Sequence, residues 1–414
     1  MPRLPPSLLH RARAISPDLA TLLPACRDLE SARNELRWIR EHVSTAAAAA
    51  AVSQPRSSRA VASSFSEHHP ASAAAARRER RGHDDESKVV ASLCRRRSRG
   101  EPLQYLLGSQ PFGPLEIQCH RGVLIPRPET EAWTYALTRV IAARFASRGQ
   151  INSKERKKGR LRIVDFCTGT GCIPLLLSAL LHRRFQLQIR GFDIEERAVR
   201  LAKENLRYNV TRGLLPLSLL SPKKDAPAAT LGSGSGEGGD VVRFEKADIF
   251  TDDWIPSLLQ QEGESDNIDV LVSNPPYIST KGFHRDTGRS VRNFEPRLAL
   301  VPHPRHDAQA ASCAPEDVFY KRLCDVAEII RPKIILFEVG DLEQALRVAQ
   351  MAVVATGEKL QDIEIWRDYP DIAEEEEQGG TGDSSSTITE TYIEGRKVSI
   401  KGVGHGRSVL VRLK

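Results

Sequence analysis

The chain of 414 residues is long enough for one large domain and a smaller one, and 40% of its residues are hydrophobic. No apolar stretch is long enough to cross a bilayer, so we expect no membrane insertion. Seven cysteines without a Cys-x-x-Cys pair argue against a disulfide framework and a Cys-rich zinc site, and they indicate a reducing compartment. His303 and His306 are spaced like metal ligands, but the prolines around them indicate a solvated loop, so we expect no metal.

The net charge of +7 is concentrated toward the N-terminus. Residues 1–13 contain three arginines, no acidic residue precedes Asp18, and the continuous apolar core of a secretory signal is missing. This pattern is typical of a mitochondrial transit peptide. We therefore predict a targeting segment at residues 1–18 and a location in the mitochondrial matrix. The alternative is a disordered tail on a cytoplasmic protein.

Residues 19–100 are predicted to form a helical domain, because apolar residues recur at helical spacing from Leu22 to Val43. The alanine- and serine-rich tract at 46–76 has no periodic apolar face, so we interpret it as a disordered or low-complexity insertion. Arginine clusters follow at 77–81 and 95–99. They form either a solvated face or a surface for an acidic partner or a phosphate backbone, which leaves contact with RNA or the ribosome open.

Residues 101–128 are predicted to form a hairpin linker, with short strands at 115–118 and 122–125. Pro128 and the acidic residues after it favour a helix N-terminus, because proline and acids suit the first turn. The rest of the chain, 129–414, is predicted to be the catalytic domain.

Strands and helices alternate through residues 129–414, which predicts an α/β, Rossmann-like fold with seven strands in a doubly wound sheet. The predicted strands are residues 161–166, 187–192, 241–245, 268–273, 334–339, 363–367 and 408–413. Irregular or low-complexity inserts at 222–240, 302–315 and 374–396 are expected to be surface loops. Ligands of such sheets bind at the carboxyl ends of the strands, where Gly169, Asp193, Asp248 and Asn274 fall.

The first of these strands runs into a glycine-containing turn and an apolar helix. Gly169 and Gly171 let the backbone approach a ligand, and the helix start presents free N–H groups. Pro174 replaces the third glycine with which dinucleotide folds seat a pyrophosphate, and this disfavours an oxidoreductase. Asp193 follows at roughly the twenty-residue distance at which a carboxylate meets ribose hydroxyls, although it could also cap the next helix. S-adenosylmethionine, which has a ribose but no pyrophosphate, fits this pattern.

The sequence Asn-Pro-Pro-Tyr at 274–277 follows the fourth strand. Asn274 offers a side-chain carbonyl, and two prolines donate no N–H, so acceptors can face a planar NH2 group, for which Tyr277 is expected to supply a flat face. Such a nitrogen is a weak nucleophile that needs a strong electrophile, and a sulfonium methyl is one. Alone, these four residues would indicate an ordinary turn. Together with the glycine turn and Asp193, they predict a methyltransferase.

Four segments together resemble the HemK/PrmC family: Glu-Pro-Leu-Gln-Tyr-Leu-Leu-Gly at 101–108, Gly-Val-Leu-Ile-Pro-Arg-Pro-Glu-Thr-Glu at 122–131, Asn-Pro-Pro-Tyr-Ile at 274–278 and Phe-Glu-Pro-Arg-Leu-Ala-Leu at 294–300. The resemblance covers about residues 100–369 and the final strand. It implies a class I enzyme that uses S-adenosylmethionine to methylate N5 of the glutamine in the Gly-Gly-Gln loop of a peptide chain release factor. It also implies that the N-terminal helices bind that factor. The alanine-serine tract and Cys167, where the family has glycine, are departures.

The expected site residues fall into three groups. The catalytic group, which also binds the substrate amide, is Asn274, Pro275, Pro276 and Tyr277. The cofactor group is Cys167, Thr168, Gly169, Thr170 and Gly171 at the methionine end, Asp193 at the ribose, Asp248 and Ile249 at the adenine, and Asn274. Glu129 and Thr130 are expected to shape the mouth beside the target glutamine, or merely to cap a helix.

A nucleic-acid methyltransferase acting on N6 of adenine or N2 of guanine is the main alternative, because it would hold a base amine with the same Asn-Pro-Pro-Tyr sequence. It would have to capture a flipped base. No separate reader module is evident, and Arg-Pro-Glu-Thr-Glu at 127–131 is not typical of that group. A non-catalytic assembly factor would be expected to have a damaged acceptor motif, whereas this one is intact.

Overall fold

The computed structural model describes residues 4–53, 71–149, 158–220, 241–259, 268–303, 313–372 and 390–414. The chain divides into two compact units. One comprises Met1–Gly108 and Gly288–Phe294, and the other Ser109–Thr287 and Glu295–Lys414. No helix in the described ranges is both long and apolar enough to cross a membrane.

The α-helices, in chain order, are α1 Pro6–Ile15, α2 Pro17–Cys26, α3 Leu29–Ser53, α4 Ala71–Ser98, α5 Leu103–Leu107, α6 Pro128–Arg144, α7 Ala146–Gly149, α8 Cys172–Leu181, α9 Glu196–Thr211, α10 Ile255–Leu259, α11 Thr280–Arg285, α12 Arg289–Phe294, α13 Val318–Ile330 and α14 Leu342–Thr356. The strands are β1 Ser109–Phe112, β2 Leu115–Gln118, β3 Arg160–Phe166, β4 Gln186–Asp193, β5 Val241–Lys246, β6 Val270–Ser273, β7 Ile334–Glu338, β8 Leu360–Tyr369, β9 Glu390–Ile393, β10 Arg396–Lys401 and β11 Val403–Leu413.

The first unit is built from α1 to α5 and α12, and helical periodicity places its apolar residues in one core. Leu22 and Leu23 on α2 and Ile39 on α3 are fully buried there. Ala12 on α1 is also fully buried, so the segment expected to direct import contributes to this core.

The alanine- and serine-rich tract is helical at both ends rather than irregular. Helix α3 continues to Ser53 and α4 begins at Ala71, because alanine has the highest helix propensity. The residues between these helices lie outside the described part of the chain. In the second arginine cluster, Arg96 binds Glu101 at 2.7 Å and Arg97 binds Glu35 at 2.7 Å. These two arginines therefore form ion pairs within the first unit.

The second unit contains a central sheet whose described strands follow the order β5-β4-β3-β6-β7-β11-β8-β10-β9. Strands β3 to β7 are parallel to one another, and β11 is antiparallel to both β7 and β8. The seven predicted strands are all present. The count nevertheless rises to nine in the described residues, because β9 and β10 extend the edge beyond β8. Strand β9 lies in the insert that was expected to be a loop.

The linker hairpin differs from the prediction. Strand β2 pairs with β1, which precedes it, and residues 122–125 form no strand. Gly122 adopts a φ of +90°, and the N–H of Ile125 donates to the side chain of Glu295 at 3.1 Å. Since that N–H is used by a distant carboxylate, it is unavailable to a strand partner, and the segment runs along the domain as an irregular loop.

Helices cover both faces of the central sheet and create two apolar cores. Helices α6, α8 and α9 pack on one face and contribute Trp133, Leu176 and Leu206 to the first core. Helices α13 and α14 pack on the other face around Tyr320 and Val348. This three-layer arrangement leaves the carboxyl ends of the parallel strands free to form a site.

Candidate active site

A cleft of about 1080 Å³, partly open to solvent, lies at the carboxyl ends of β3, β4, β5 and β6. Ten of the predicted site residues line it: Thr130, Cys167, Thr168, Gly169, Thr170, Asp193, Asp248, Ile249, Asn274 and Pro276. Four others, Glu129, Gly171, Pro275 and Tyr277, do not line it. The structure therefore brings most of the predicted residues into one site.

The turn between β3 and α8 owes its shape to residues with positive φ. Gly169 has a φ of +56° and Gly171 one of +78°. A Cβ on Gly171 would lie 2.9 Å from the ring of Phe244 and 3.0 Å from Ala202, so only glycine fits. Cys167 has a φ of +60°, a left-handed conformation that disfavours a side chain. The preference for glycine at this position thus has a backbone cause.

Asp193 ends β4 and holds this turn in place. One of its carboxylate oxygens accepts the N–H of Gly169 and the other accepts the N–H of Glu195, each at 2.9 Å. Burial raises the pKa of Asp193 to about 6, although these N–H donors oppose the rise. Each oxygen keeps a second lone pair, so the carboxylate can still accept hydrogen bonds from a ligand in the cleft.

Beneath the turn lies a second, fully buried carboxylate, that of Asp165. Neither of its oxygens has a hydrogen bond of normal geometry within the described residues, and neither has the hydroxyl of nearby Thr168. Burial raises the pKa of Asp165 well above its ordinary value. The raised pKa favours the neutral form of Asp165, which is not among the residues that line the cleft. The polar side chains that do line it include Asp193, Asp248 and Asn274, and these acceptors fit the hydroxyls and the cationic groups of S-adenosylmethionine.

Asn274 follows β6 and contacts a buried hydrogen-bond network. Its side-chain Nδ2 donates to Oγ1 of Thr130 at 3.5 Å, and that hydroxyl donates to Oε2 of Glu338 at 2.6 Å. Glu338 also accepts Nε1–H of Trp133 at 2.8 Å and the hydroxyl of Tyr277 at 3.3 Å. Tyr277 thus supports the network and, in this structure, does not present a flat face to the cleft.

Sequence reasoning did not assign Glu338 to the site. Its one visible signal is an acidic residue at the end of an otherwise apolar strand, β7. Residues 122–127, which line the cleft, were also not assigned to the site. Arg127 donates to Glu295 at 2.8 Å, and this ion pair joins two of the segments that carried the family resemblance. Both segments were identified from the sequence, but only the folded structure shows that they are in contact.

The sheet order, the antiparallel strand β11 and a cofactor cleft beside Asn-Pro-Pro-Tyr define a class I methyltransferase. The predicted fold class is confirmed. The methyl donor of this class is S-adenosylmethionine.

Sequence comparison with known proteins identifies the family. The chain is 33% identical over 301 residues to the mitochondrial MRF1 N(5)-glutamine methyltransferase MTQ1 of Saccharomyces cerevisiae, which covers 73% of this chain and 68% of the relative. It is 33% identical to the probable mitochondrial enzyme mtq1 of Schizosaccharomyces pombe, over 62% of this chain and 70% of the relative. A release factor glutamine methyltransferase of Thermodesulfovibrio yellowstonii is 28% identical, over 64% of this chain and 73% of the relative. The chain belongs to the release factor glutamine methyltransferase family, so the predicted resemblance is confirmed.

No protein-family model matches the chain. Among solved structures, the catalytic domain of human METTL16 in complex with an RNA hairpin is 14% identical, with a TM-score of 0.38. It covers 78% of this chain and 80% of that structure. At this level of similarity, it says nothing about what this chain binds.

Proposed function

We propose that this chain transfers a methyl group from S-adenosylmethionine to N5 of a glutamine in the Gly-Gly-Gln loop of a peptide chain release factor. Membership of the family supports the reaction and the substrate, because its members are named as release factor glutamine methyltransferases. The single observation on which the proposal rests is the position of Asn274, whose carboxamide lines the cleft at the end of β6.

When bound, S-adenosylmethionine supplies an electrophilic methyl group. The carboxylate of Asp193 would accept the ribose hydroxyls, Asp248 and Ile249 would contact the adenine, and residues 167–171 would hold the methionine end. The cleft suits a cationic ligand, because the one arginine among its lining residues, Arg127, is paired with Glu295.

The substrate amide would donate one N–H to Oδ1 of Asn274, which lines the cleft, and the other to the backbone carbonyl of Pro275, the next residue, which does not line it in this structure. Both acceptors would aim the nitrogen lone pair and stabilise the positive charge that develops as the nitrogen takes the methyl group, until one of its two protons is lost to solvent. Because they bind the charged transition state better than the neutral amide, they lower the barrier. Glu129 and Thr130, in the first turn of α6, would shape the mouth of the site.

Methylation of a purified release factor tests the proposal. With S-adenosylmethionine present, mass spectrometry should find one added methyl group on the loop glutamine, and none on a factor with that glutamine replaced by alanine. An adenine- or guanine-containing nucleic acid serves as the competing substrate. Methyl transfer to the nucleic acid and not to the protein would overturn the proposal in favour of the nucleic-acid alternative.

Substitution of Asn274 tests the site. Asn274→Ala should lower kcat by about 10²- to 10³-fold, because it removes an acceptor used in the transition state. Its affinity for S-adenosylmethionine, measured by calorimetry, should change little. Gln350→Ala removes an exposed carboxamide on α14 that does not line the cleft, so it serves as the matched control. Normal turnover by Asn274→Ala would remove this residue from the mechanism.

We propose that the protein acts in the mitochondrial matrix, because the two yeast relatives are named as mitochondrial enzymes. The basic N-terminal segment supports import. Because Ala12 of α1 is buried in the core of the first unit, we expect any cleavage to occur before α1. Sequencing the N-terminus of protein recovered from mitochondria tests this. A mature chain that begins after Ile15 would contradict the expectation.

The first unit would bind the release factor, as the family resemblance implies. Contact with RNA or the ribosome through the arginine clusters stays a prediction. It would have to use arginines other than Arg96 and Arg97, which are paired with Glu101 and Glu35.

A further inference from the structure

Glu338 is a buried carboxylate whose role the proposed mechanism leaves open. Its exposed fraction is 1%, and it is not among the residues that line the cleft. Thr130 and Trp133 donate to one of its oxygens, and Tyr277 donates to the other. Burial raises the pKa of Glu338, while these hydrogen bonds and the nearby charge of Arg407 lower it in part. Burying a carboxylate costs free energy, so a buried carboxylate with three hydrogen-bond donors around it indicates a function for the arrangement.

The hydroxyl of Thr130 links Glu338 to the cleft and has only one hydrogen to donate. The 2.6 Å distance from Oγ1 of Thr130 to Oε2 of Glu338 indicates that the hydroxyl donates this hydrogen in a hydrogen bond to the carboxylate. Oγ1 therefore offers only a lone pair to its other neighbour, the side chain of Asn274 at 3.5 Å. A lone pair accepts from an NH2 group and repels a carbonyl oxygen, so the polarity of the contact is set by Glu338.

A carboxamide has nearly the same shape in its two flipped orientations, so only its hydrogen-bond partners decide which end faces the cleft. With Nδ2 of Asn274 held by Thr130, Oδ1 is left to face a ligand. In the opposite orientation, an NH2 group would confront the substrate NH2 group. Neither the amide donor nor the charge that develops on its nitrogen would then find an acceptor.

We infer that Glu338 is a positioning residue that acts through the Thr130 hydroxyl to hold the Asn274 carboxamide with Oδ1 toward the substrate nitrogen. The same arrangement selects substrates that donate a hydrogen bond at this point, such as a primary amide. This inference rests on the proposed function and adds to it the device that orients the acceptor. Trp133 and Tyr277 donate two further hydrogen bonds to the carboxylate and so help to fix its orientation.

Two matched pairs of variants test the inference. Thr130→Val keeps the shape of the side chain and removes the hydroxyl, whereas Thr130→Ser keeps the hydroxyl. Glu338→Met removes every acceptor at similar volume, whereas Glu338→Gln keeps one carbonyl oxygen that can accept from Thr130 and Trp133. Each variant is assayed for kcat and KM on the release factor, for its dissociation constant for S-adenosylmethionine, and for its unfolding midpoint in urea.

We expect Thr130→Val and Glu338→Met to lower kcat by about 10- to 100-fold, because the Asn274 carboxamide would no longer be held with Oδ1 toward the substrate nitrogen. Affinity for S-adenosylmethionine should stay within about twofold of wild type, and Thr130→Ser and Glu338→Gln should keep kcat within about threefold. A merely structural role would shift the unfolding midpoint and leave kcat of the folded protein unchanged.

Wild-type kcat in folded Thr130→Val or Glu338→Met would overturn the inference. A loss in Glu338→Gln as large as in Glu338→Met would also overturn it, because the negative charge would then matter and the acceptor would not. If Thr130→Val does not fold, Glu338→Met against Glu338→Gln decides. Failure of the proposed function is a separate result: wild-type protein would bind S-adenosylmethionine and leave the release factor glutamine unmodified.

Discussion

Asp193 is under opposing influences at the scale of a single residue. Burial raises the pKa of its carboxyl to about 6, while the N–H groups of Gly169 and Glu195 favour the ionised form. Because the folded-state pKa lies above the ordinary value of 3.8, the folded state retains a proton that the unfolded state has lost. The contribution of Asp193 to stability therefore falls as pH rises from about 4 to about 6, and it stays low above that range.

Asp193→Asn should remove this pH dependence. Relative to wild type, the free energy of unfolding of the variant should rise by up to about 2 kcal/mol between about pH 4 and pH 7, measured by urea denaturation. Its affinity for S-adenosylmethionine should be lower than that of wild type, whose own affinity should weaken as pH falls through about 6. A difference in unfolding free energy that is constant across the pH range would contradict the assigned titration.

Cys167 also adopts a backbone conformation that is unfavourable for the residue itself but is part of the site. A left-handed conformation costs a side chain about 1–2 kcal/mol, and Cys167 adopts it with a φ of +60° beside the cleft. Strain of this kind persists where the surrounding structure demands it. Here the demand comes from the turn that connects β3 with α8.

At the scale of elements, the unit β3–turn–α8 requires glycine at one point for two separate reasons. Gly171 has positive φ, and its surroundings leave no room for a Cβ. Gly213, at the end of α9, also has positive φ, at +71°, but nothing lies within 4 Å of a Cβ built there. A side chain at Gly213 would therefore suffer backbone strain alone, whereas one at Gly171 would suffer both strain and steric clash.

Gly171→Ala should lower the free energy of unfolding by about 2–4 kcal/mol, the sum of left-handed strain and crowding against Phe244 and Ala202. Gly213→Ala should lower it by only about 1 kcal/mol. Denaturant unfolding measures both, and the Gly171 variant should in addition bind S-adenosylmethionine more weakly. Equal losses in the two variants would show that crowding at the turn is unimportant.

At the scale of the whole second unit, the Arg127–Glu295 pair connects segments 168 residues apart. The side chain of Glu295 is 2% exposed and that of Arg127 is 30% exposed. The carboxylate also accepts the N–H of Ile125, so it fixes the loop that lines one wall of the cleft. A buried pair of this kind is costly to break, because the remaining charge is left without compensation.

Glu295→Ala should lower the free energy of unfolding by about 2–3 kcal/mol and weaken binding of S-adenosylmethionine, because residues 122–127 lose their anchor. Arg127→Ala combined with Glu295→Ala should cost less than the sum of the two single changes. Glu41→Ala breaks the exposed pair Arg37–Glu41, 61% and 64% exposed, and should change stability little. Additive effects at 127 and 295 would contradict the coupling.

Local pattern was enough to predict seven of the nine described strands of the central sheet. Buried parallel strands such as β6 and β7 are nearly continuous apolar runs, so their existence can be predicted without the fold. The cofactor turn and Asp193 belong to one β-α-β unit, in which short connections constrain the geometry. Residue spacing therefore placed the glycine turn, Asp193 and Asn274 at the cleft, although most of the lining residues were not predicted.

Pairings between distant segments were not readable in this way. Thr130 and Glu338 are 208 residues apart, and neither has a local signal that names the other. The hairpin was assigned to the wrong partner because the strand-like pattern at 122–125 was paired with 115–118, whereas the N–H of Ile125 donates to the carboxylate of Glu295 and residues 109–112 supply the partner strand. The edge strands β9 and β10 are short and owe their pairing to β8.

The sequence by itself determined that a glycine turn, Asp193 and Asn274 stand at the carboxyl ends of β3, β4 and β6, because those positions depend on local periodicity and fixed spacing. Only the tertiary structure decided which way the acceptor is held, which loop walls the cleft and how far the sheet extends. Those properties depend on contacts between residues far apart in the chain, whose partners are chosen by packing and by the need to satisfy buried charge.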